Sequence, residues 1–171
     1  MSIDGPIHGK TNGKMKAAAA KSGGAAAKPV RTAPALVKRR YTTPGVDPLD
    51  QVAYELRDSV ISNPDGSVVF ACRGAEIPRS WSQLATDIAV SKYFRRAGLH
   101  GDPKKGETSA RQLVYRVAHT IREAGESRGY FRDKAEADTF EAELAYMLIT
   151  QVGAFNSPVW FNCGLFQRYG I

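Results

Sequence analysis

An apolar stripe at helical spacing limits this chain more than any other feature. Ala110, Leu113, Val114, Val117, Ala118 and Ile121 recur at intervals of three and four. That pattern puts them on one face of an α-helix and requires a partner surface to cover them. The helix is expected from about Ser109 to Glu126, with Gly125 and Gly129 ending it and Tyr130-Phe131 packing back on it. A second stripe, Phe140, Leu144, Met147, Leu148 and Gln151-Val152, follows Asp133, which has Glu136 three residues on as in a capping box. Glu136, Asp138, Glu141 and Glu143 read as a solvated face, because no histidine stands in register with them to suggest a metal or acid–base site. His119 sits among polar neighbours and reads as an ordinary surface histidine.

Upstream, Ser80-Trp81-Ser82-Gln83 is the capping signature of a shorter helix. Trp81, Leu84, Ala85 and Ile88 share its apolar face, Tyr93 and Phe94 lie near its end, and Gly98 stops it. Leu99 to Thr108 is a polar connector. Before this helix the pattern alternates. Val52, Tyr54, Leu56, Asp58 and Val60 share one parity, Asn63-Pro64-Asp65-Gly66 is a turn signal, and Ser67 to Cys72 resumes β character. A hairpin with arms near 52–62 and 67–73 is expected, closed by a further short extended piece from Gly74 to Pro78. The rival reading is a short helix from Asp47 to Asp58, which Pro48 in its first turn permits.

Charge divides the chain. Nine of its 24 Lys and Arg residues, but only one of its 17 acidic ones, fall within residues 1–40. The rest is near neutral. Residues 1–40 are rich in Gly, Ala and Lys without apolar periodicity, so a disordered basic tail is expected there. A phosphate-neutralising contact with nucleic acid is one function for such a tail. No aromatic is interleaved with its lysines for base stacking, which argues against it. Two cysteines, Cys72 and Cys163, form no disulfide framework or metal spacing. Cys72 reads as a small apolar packing residue. A reducing cytoplasm fits. No apolar run reaches the roughly 18 residues of a membrane span.

The segment Ala154 to Leu165 is dense in aromatics and contains Asn156-Ser157-Pro158. Pro158 disfavours a helical conformation at Ser157, so Ser157 is expected to be extended just past a helix end, with its hydroxyl free to face a cavity. Asn156 and Asn162 add amide groups. Val159-Trp160-Phe161 reads as a buried strand beneath them. Such a site suits a ribose or a phosphate. The other reading is an Asn-Ser-Pro turn leading into an apolar core strand.

The run Phe155-Asn156-Ser157-Pro158-Val159-Trp160-Phe161-Asn162, after Glu143-Leu144-Ala145-Tyr146, resembles the adenosylcobalamin-dependent (class II) ribonucleotide reductases of bacteria. Thr42 to Val46, Arg57-Asp58, Asp65-Gly66-Ser67 and Ser91-Lys92-Tyr93-Phe94 are similar to the same family, in the same order. The resemblance runs from about residue 39 to the end. It implies an α+β fold: a mainly helical N-terminal region with a small β-hairpin over 41–153, and the first segment of an incomplete α/β barrel over 154–171.

The resemblance also implies chemistry. Family members reduce ribonucleotides to 2′-deoxyribonucleotides, with adenosylcobalamin generating a cysteine thiyl radical inside the barrel and a thioredoxin-type reductant supplying electrons. Ser157 is implied to contact the substrate, with Asn156 and Pro158 holding it. The radical cysteine, the reducing pair and the cobalamin contacts lie downstream in relatives, so no catalytic or metal-binding residue is expected in this chain. It is expected to need the remainder of the reductase, on the same or a separate chain, and to be inactive alone. Val159 to Phe166 is expected to be an unpaired strand edge. The alternative is a stand-alone helical interaction module whose basic tail binds nucleic acid.

Overall fold

The hairpin is longer than its turn signals suggest because a bulge carries it past an apparent break. The computed structural model describes residues 34–171. Strand β1 (Tyr54–Ser62) pairs antiparallel with β2 (Val68–Pro78). The turn closes as its residues predict: Gly66 takes φ +83 and donates to Asn63 O at 2.9 Å, and Asp65 Oδ1 accepts from Ser67 N at 2.8 Å. Register then shifts between Arg57↔Ala75 and Ser59↔Cys72, leaving one extra residue on β2. Gly74 supplies the positive φ, +65, and the Asp58 carboxylate closes the bulge by accepting from Gly74 N (2.8 Å) and Arg73 Nη1 (2.9 Å). The stretch Gly74 to Pro78 is therefore a continuation of β2, not a separate extended piece. Of the rival helix only a 3₁₀ turn forms, Pro48–Gln51, capped by Asp47.

The first helix departs from expectation in cap, phase and end. Helix α1 (Gln83–Ile88) is capped by Ser82, whose Oγ accepts from Ala85 N at 3.1 Å. Ser80 takes no part in this cap. Trp81 is buried just ahead of the helix and donates through Nε1 to Ile149 O at 2.8 Å. Leu84 stays 70% exposed, while Thr86, Ala89 and Val90 are buried. The chain widens into a π turn over Ala89–Tyr93, which rotates the apolar face. It leaves the helix at Phe94, well before Gly98.

Helix α2 (Ala110–Ser127) follows its stripe. Ser109 and Gln112 form a reciprocal capping box, and Leu113, Val114, Val117 and Ala118 are buried. Helix α3 (Lys134–Ile149) is capped by Asp133, whose Oδ1 accepts from Glu136 N at 2.9 Å. The expected solvated acidic face fails at two of its four members, because Glu136 and Glu143 are buried. Glu136 accepts backbone N–H groups of Leu36, Val37 and Arg132. Glu143 accepts from Tyr41 N, Thr42 N and Thr42 Oγ1, the last at 2.6 Å. Residues 36–42 thus form a strap fastened to α3 by two carboxylates seven positions apart. Arg39 Nη2 adds a bond to Thr139 Oγ1 at 3.1 Å, and the Tyr41 ring stacks on Tyr146. Of the disordered basic tail expected over residues 1–40, residues 1–33 and the nucleic-acid contact weighed for them lie outside the described residues, whereas Leu36 to Arg40 are ordered in the strap, because buried carboxylates of α3 take up their N–H groups.

His119 is also more than a surface group. Its ring nitrogens sit 2.7 Å from Glu141 Oε1 and 3.3 Å from Glu123 Oε1, joining α2 to α3. The core gathers on α2, covered by the near end of the hairpin (Ala75, Ile77), by Trp81 and Val90, and by Leu148 and Ile149 of α3.

Candidate functional site

The terminal segment is helical, not the expected strand. Asn156 is extended (φ −73, ψ 164) and precedes α4 (Ser157–Asn162), with Pro158 in the first turn. A proline there loses no hydrogen bond, since the first N–H groups of a helix have no internal acceptor. Ser157 thus opens a helix instead of lying past the end of one. Gly164, at φ +83, breaks the chain into α5 (Leu165–Tyr169). The expected unpaired edge from Val159 to Phe166 is therefore two helical turns seated on α2.

Trp160 fixes how α4 lies. It is buried, its Nε1 donates to Phe155 O at 2.8 Å, and its ring stacks on Tyr93 with centroids 6.0 Å apart. This brings the Tyr93 hydroxyl to 3.2 Å from Ser157 Oγ. Ser157 is half-buried, and its hydroxyl forms a pair with a tyrosine from the Ser91–Phe94 motif. Asn156 and Pro158 flank it and are exposed. Asn156 contributes its carbonyl, which accepts from Val159 N at 3.1 Å. Asn162 turns back toward Pro158 O at 3.5 Å and does not join the hydroxyl pair.

Beneath this pair lies an ion pair. Arg116 and Glu107 have side chains 1% and 0% exposed and meet at 2.8 Å through Nε and Oε1. The guanidinium also donates to Cys163 O (2.6 Å), Trp160 O (2.8 Å) and Tyr93 O (3.0 Å). Glu107 accepts in addition from Arg95 N at 2.8 Å and from the Tyr169 hydroxyl at 2.9 Å. Burial, and then the Glu107 charge, hold the Tyr169 hydroxyl far above the usual phenol range. Buried charges persist when each finds partners, as these do. The backbones also close up: a Cβ on Gly164 would lie 2.3 Å from Arg116 O.

The sequence carried a sign of this pair. Arg116 falls three residues after Leu113, in the midst of a buried stripe, where a cation without a partner is costly. Neither it nor Glu107 was expected to be functional. Cys163 is half-buried, and its thiol is pushed up by burial, opposed by Arg116. Cys72 is likewise raised by burial, then by Asp58. Both are poor thiolates.

Comparison with known proteins now bears on the fold. A family model described as class II vitamin B12-dependent ribonucleotide reductase matches residues 55–151, which takes in the hairpin, α1 to α3, Tyr93, Glu107 and Arg116. The vitamin B12-dependent ribonucleotide reductase of Streptomyces coelicolor is 53% identical over 129 residues, covering 75% of this chain and 13% of the relative. That of Streptomyces clavuligerus is 51% identical with the same coverage. That of Rhodopirellula baltica is 42% identical over 130 residues, 74% of this chain and 12% of the relative. The chain thus spans about an eighth of the length of these relatives. By the matched family model and these identities, the chain belongs to the class II vitamin B12-dependent ribonucleotide reductase family.

Proposed function

We propose that this chain is the N-terminal portion of a ribonucleoside-diphosphate reductase that makes 2′-deoxyribonucleotides for DNA synthesis. The observation that carries the reading is the 53% identity over 129 residues to a relative named as a vitamin B12-dependent ribonucleotide reductase. On this reading 1–40 is a basic tail whose last residues join the strap on α3, 41–153 the N-terminal region, and 154–171 the lead into an α/β catalytic barrel completed by the remainder of the reductase. The chain alone is inactive. Its further partners are the ribonucleotide and a thioredoxin-type reductant, in the cytoplasm.

Adenosylcobalamin, when bound in the complete enzyme, supplies the radical chemistry. The described residues do not fit it. A corrin ring carries its own cobalt and needs a deep, enclosed site, whereas the clefts beside Trp160 and Phe161, of about 200 and 430 Å³, are open to solvent. Its contacts belong to the remainder.

The part assigned to this chain is substrate contact by Ser157, held by Asn156 and Pro158. What supports it is a half-buried hydroxyl at the opening of α4, paired with Tyr93 and backed by the rigid Trp160. Ser157→Ala in the assembled reductase should raise KM for the ribonucleotide about fivefold, the worth of one hydrogen bond. Unchanged kinetics would remove the assignment.

A further inference from the structure

The motif Ser91-Lys92-Tyr93-Phe94 runs on into Arg95-Arg96, and this basic loop lines a cleft. Lys92, Arg95 and Arg96 are exposed. With Tyr93 and Phe161 they border an open cavity of about 430 Å³. One wall is the loop, and the other is α4 at Phe161, which is 43% exposed.

Both walls hang on one guanidinium. Arg116 Nη2 donates to Tyr93 O in the loop and to Trp160 O, one residue before Phe161. Glu107 fixes the loop again, accepting from Arg95 N at 2.8 Å and donating its own N–H to Arg95 O at 2.7 Å. Gly106 lets the two backbones touch, since a Cβ there would sit 2.3 Å from Arg96 O. The cleft is therefore built from parts that cannot drift independently.

Its cations are partly set in place. Arg95 Nε donates to Ala97 O at 2.8 Å. Arg96 Nη2 donates to Ser91 O at 2.6 Å, and its guanidinium lies 4.5 Å from the centre of the Phe70 ring. A guanidinium has five donors, so one backbone bond orients it and leaves most of the fork for a ligand. The Glu107 carboxylate beneath the loop is balanced by Arg116. A cavity lined by three cationic residues and an exposed aromatic one suits a ligand with phosphates and a flat base.

We propose that the cleft between Ser91–Ala97 and Phe161 binds a nucleoside diphosphate, with phosphates on Lys92, Arg95 and Arg96 and the base against Phe161. The proposal goes beyond the assignment of Ser157 and stands without it. Tyr93 belongs to both places, because its hydroxyl meets Ser157 Oγ while the residue lines the cleft.

The test is calorimetric titration of the full 171-residue chain with ADP and, separately, with pyrophosphate. Saturable binding with a Kd of about 1 mM or tighter is expected for ADP. Lys92→Ala and Arg95→Ala should each weaken both ligands about tenfold, the loss of one charge-assisted contact. Phe161→Ala should weaken ADP about fivefold and leave pyrophosphate unchanged. Each replaces an exposed side chain, and an unaltered circular dichroism spectrum certifies the fold. ADP affinity unmoved by Ser157→Ala but weakened about tenfold by Lys92→Ala supports the cleft and counts against Ser157 touching the same nucleotide. No saturable binding, binding kept by the Lys92→Ala/Arg95→Ala double variant, or binding lost when residues 1–33 are removed would each overturn the proposal.

Discussion

Arg116 and Glu107 meet at 2.8 Å in the centre of the molecule, and between them they hold residues from the π turn, the loop that follows it, α4 and α5. The pair joins the terminal segment to the body through backbone carbonyls.

Removing one member leaves the other charged and unpaired. Arg116→Met should destabilise the chain by about 3–5 kcal/mol in urea melts. Glu107→Gln keeps the shape and loses the charge, so it should cost less than Arg116→Met. Arg116→Lys preserves the charge but cannot fork to four acceptors. It should speed amide exchange in 159–170 while sparing 137–149.

The strap should respond to acid. Hydrogen bonds from Arg132 and Val37 N–H groups hold the Glu136 carboxyl below its usual range. Burial alone would raise Glu143, but bonds from Thr42 and Tyr41 bring it below the usual range as well. A depressed folded-state pKa means the stabilisation is complete above the unfolded value of about 4.3 and is lost as pH falls through the lower folded value. Proteolysis within residues 34–42 should therefore be slow at neutral pH and accelerate below about pH 4. Glu143→Ala should release the strap at neutral pH, at a cost of about 2–3 kcal/mol for its orphaned donors. A strap equally protected in that variant would contradict the carboxylate's role.

Alkali should act at the opposite end of the scale. Burial, offset in part by Arg111, pushes the Tyr54 hydroxyl up to about 12, where it donates to Leu49 O at 2.8 Å. For a raised pKa the contribution is present below the unfolded value of about 10 and lost as pH rises through the folded one. Phenolate absorbance should show Tyr54 ionising late, and Tyr54→Phe should flatten the loss of stability between those values.

Gly164→Ala combines a left-handed φ with a Cβ 2.3 Å from Arg116 O. It should cost at least about 2 kcal/mol, through strain and through displacement of the Arg116 backbone. The same change at Gly45, also at positive φ but with open space around it, should cost only the conformational part, about 1 kcal/mol.

Local signals are legible where neighbours in sequence decide the outcome, although the Ser80–Gln83 signature gives a cap two residues early, at Ser80 instead of Ser82. The turn at Asn63–Gly66, the cap at Asp133 and the stripe on α2 all belong to this kind. Signals that depend on distant partners were not legible. Glu136 and Glu143 looked solvated because their donors lie about a hundred positions away, at Leu36 to Thr42. Val159 to Phe161 looked like a strand because aromatic and β-branched residues favour one, yet Trp160 gains more by stacking on Tyr93 with Arg116 holding its carbonyl. The nearness of Ser157 to Tyr93 follows from that docking. It could not be read from Asn-Ser-Pro alone.

The buried guanidinium also sets an order of events during synthesis. Its last acceptor, the carbonyl of Cys163, is 47 residues downstream of Arg116. At about 5–20 residues per second, a ribosome takes roughly 2–9 seconds to cover that distance. For that interval the nascent α2 displays an apolar stripe with a cation in its midst and no C-terminal cover. Arg116 then holds Glu107 and the Tyr93 carbonyl, both upstream, but lacks its acceptors at Trp160 and Cys163, so two of its donors stay with water until the chain that completes that face has emerged.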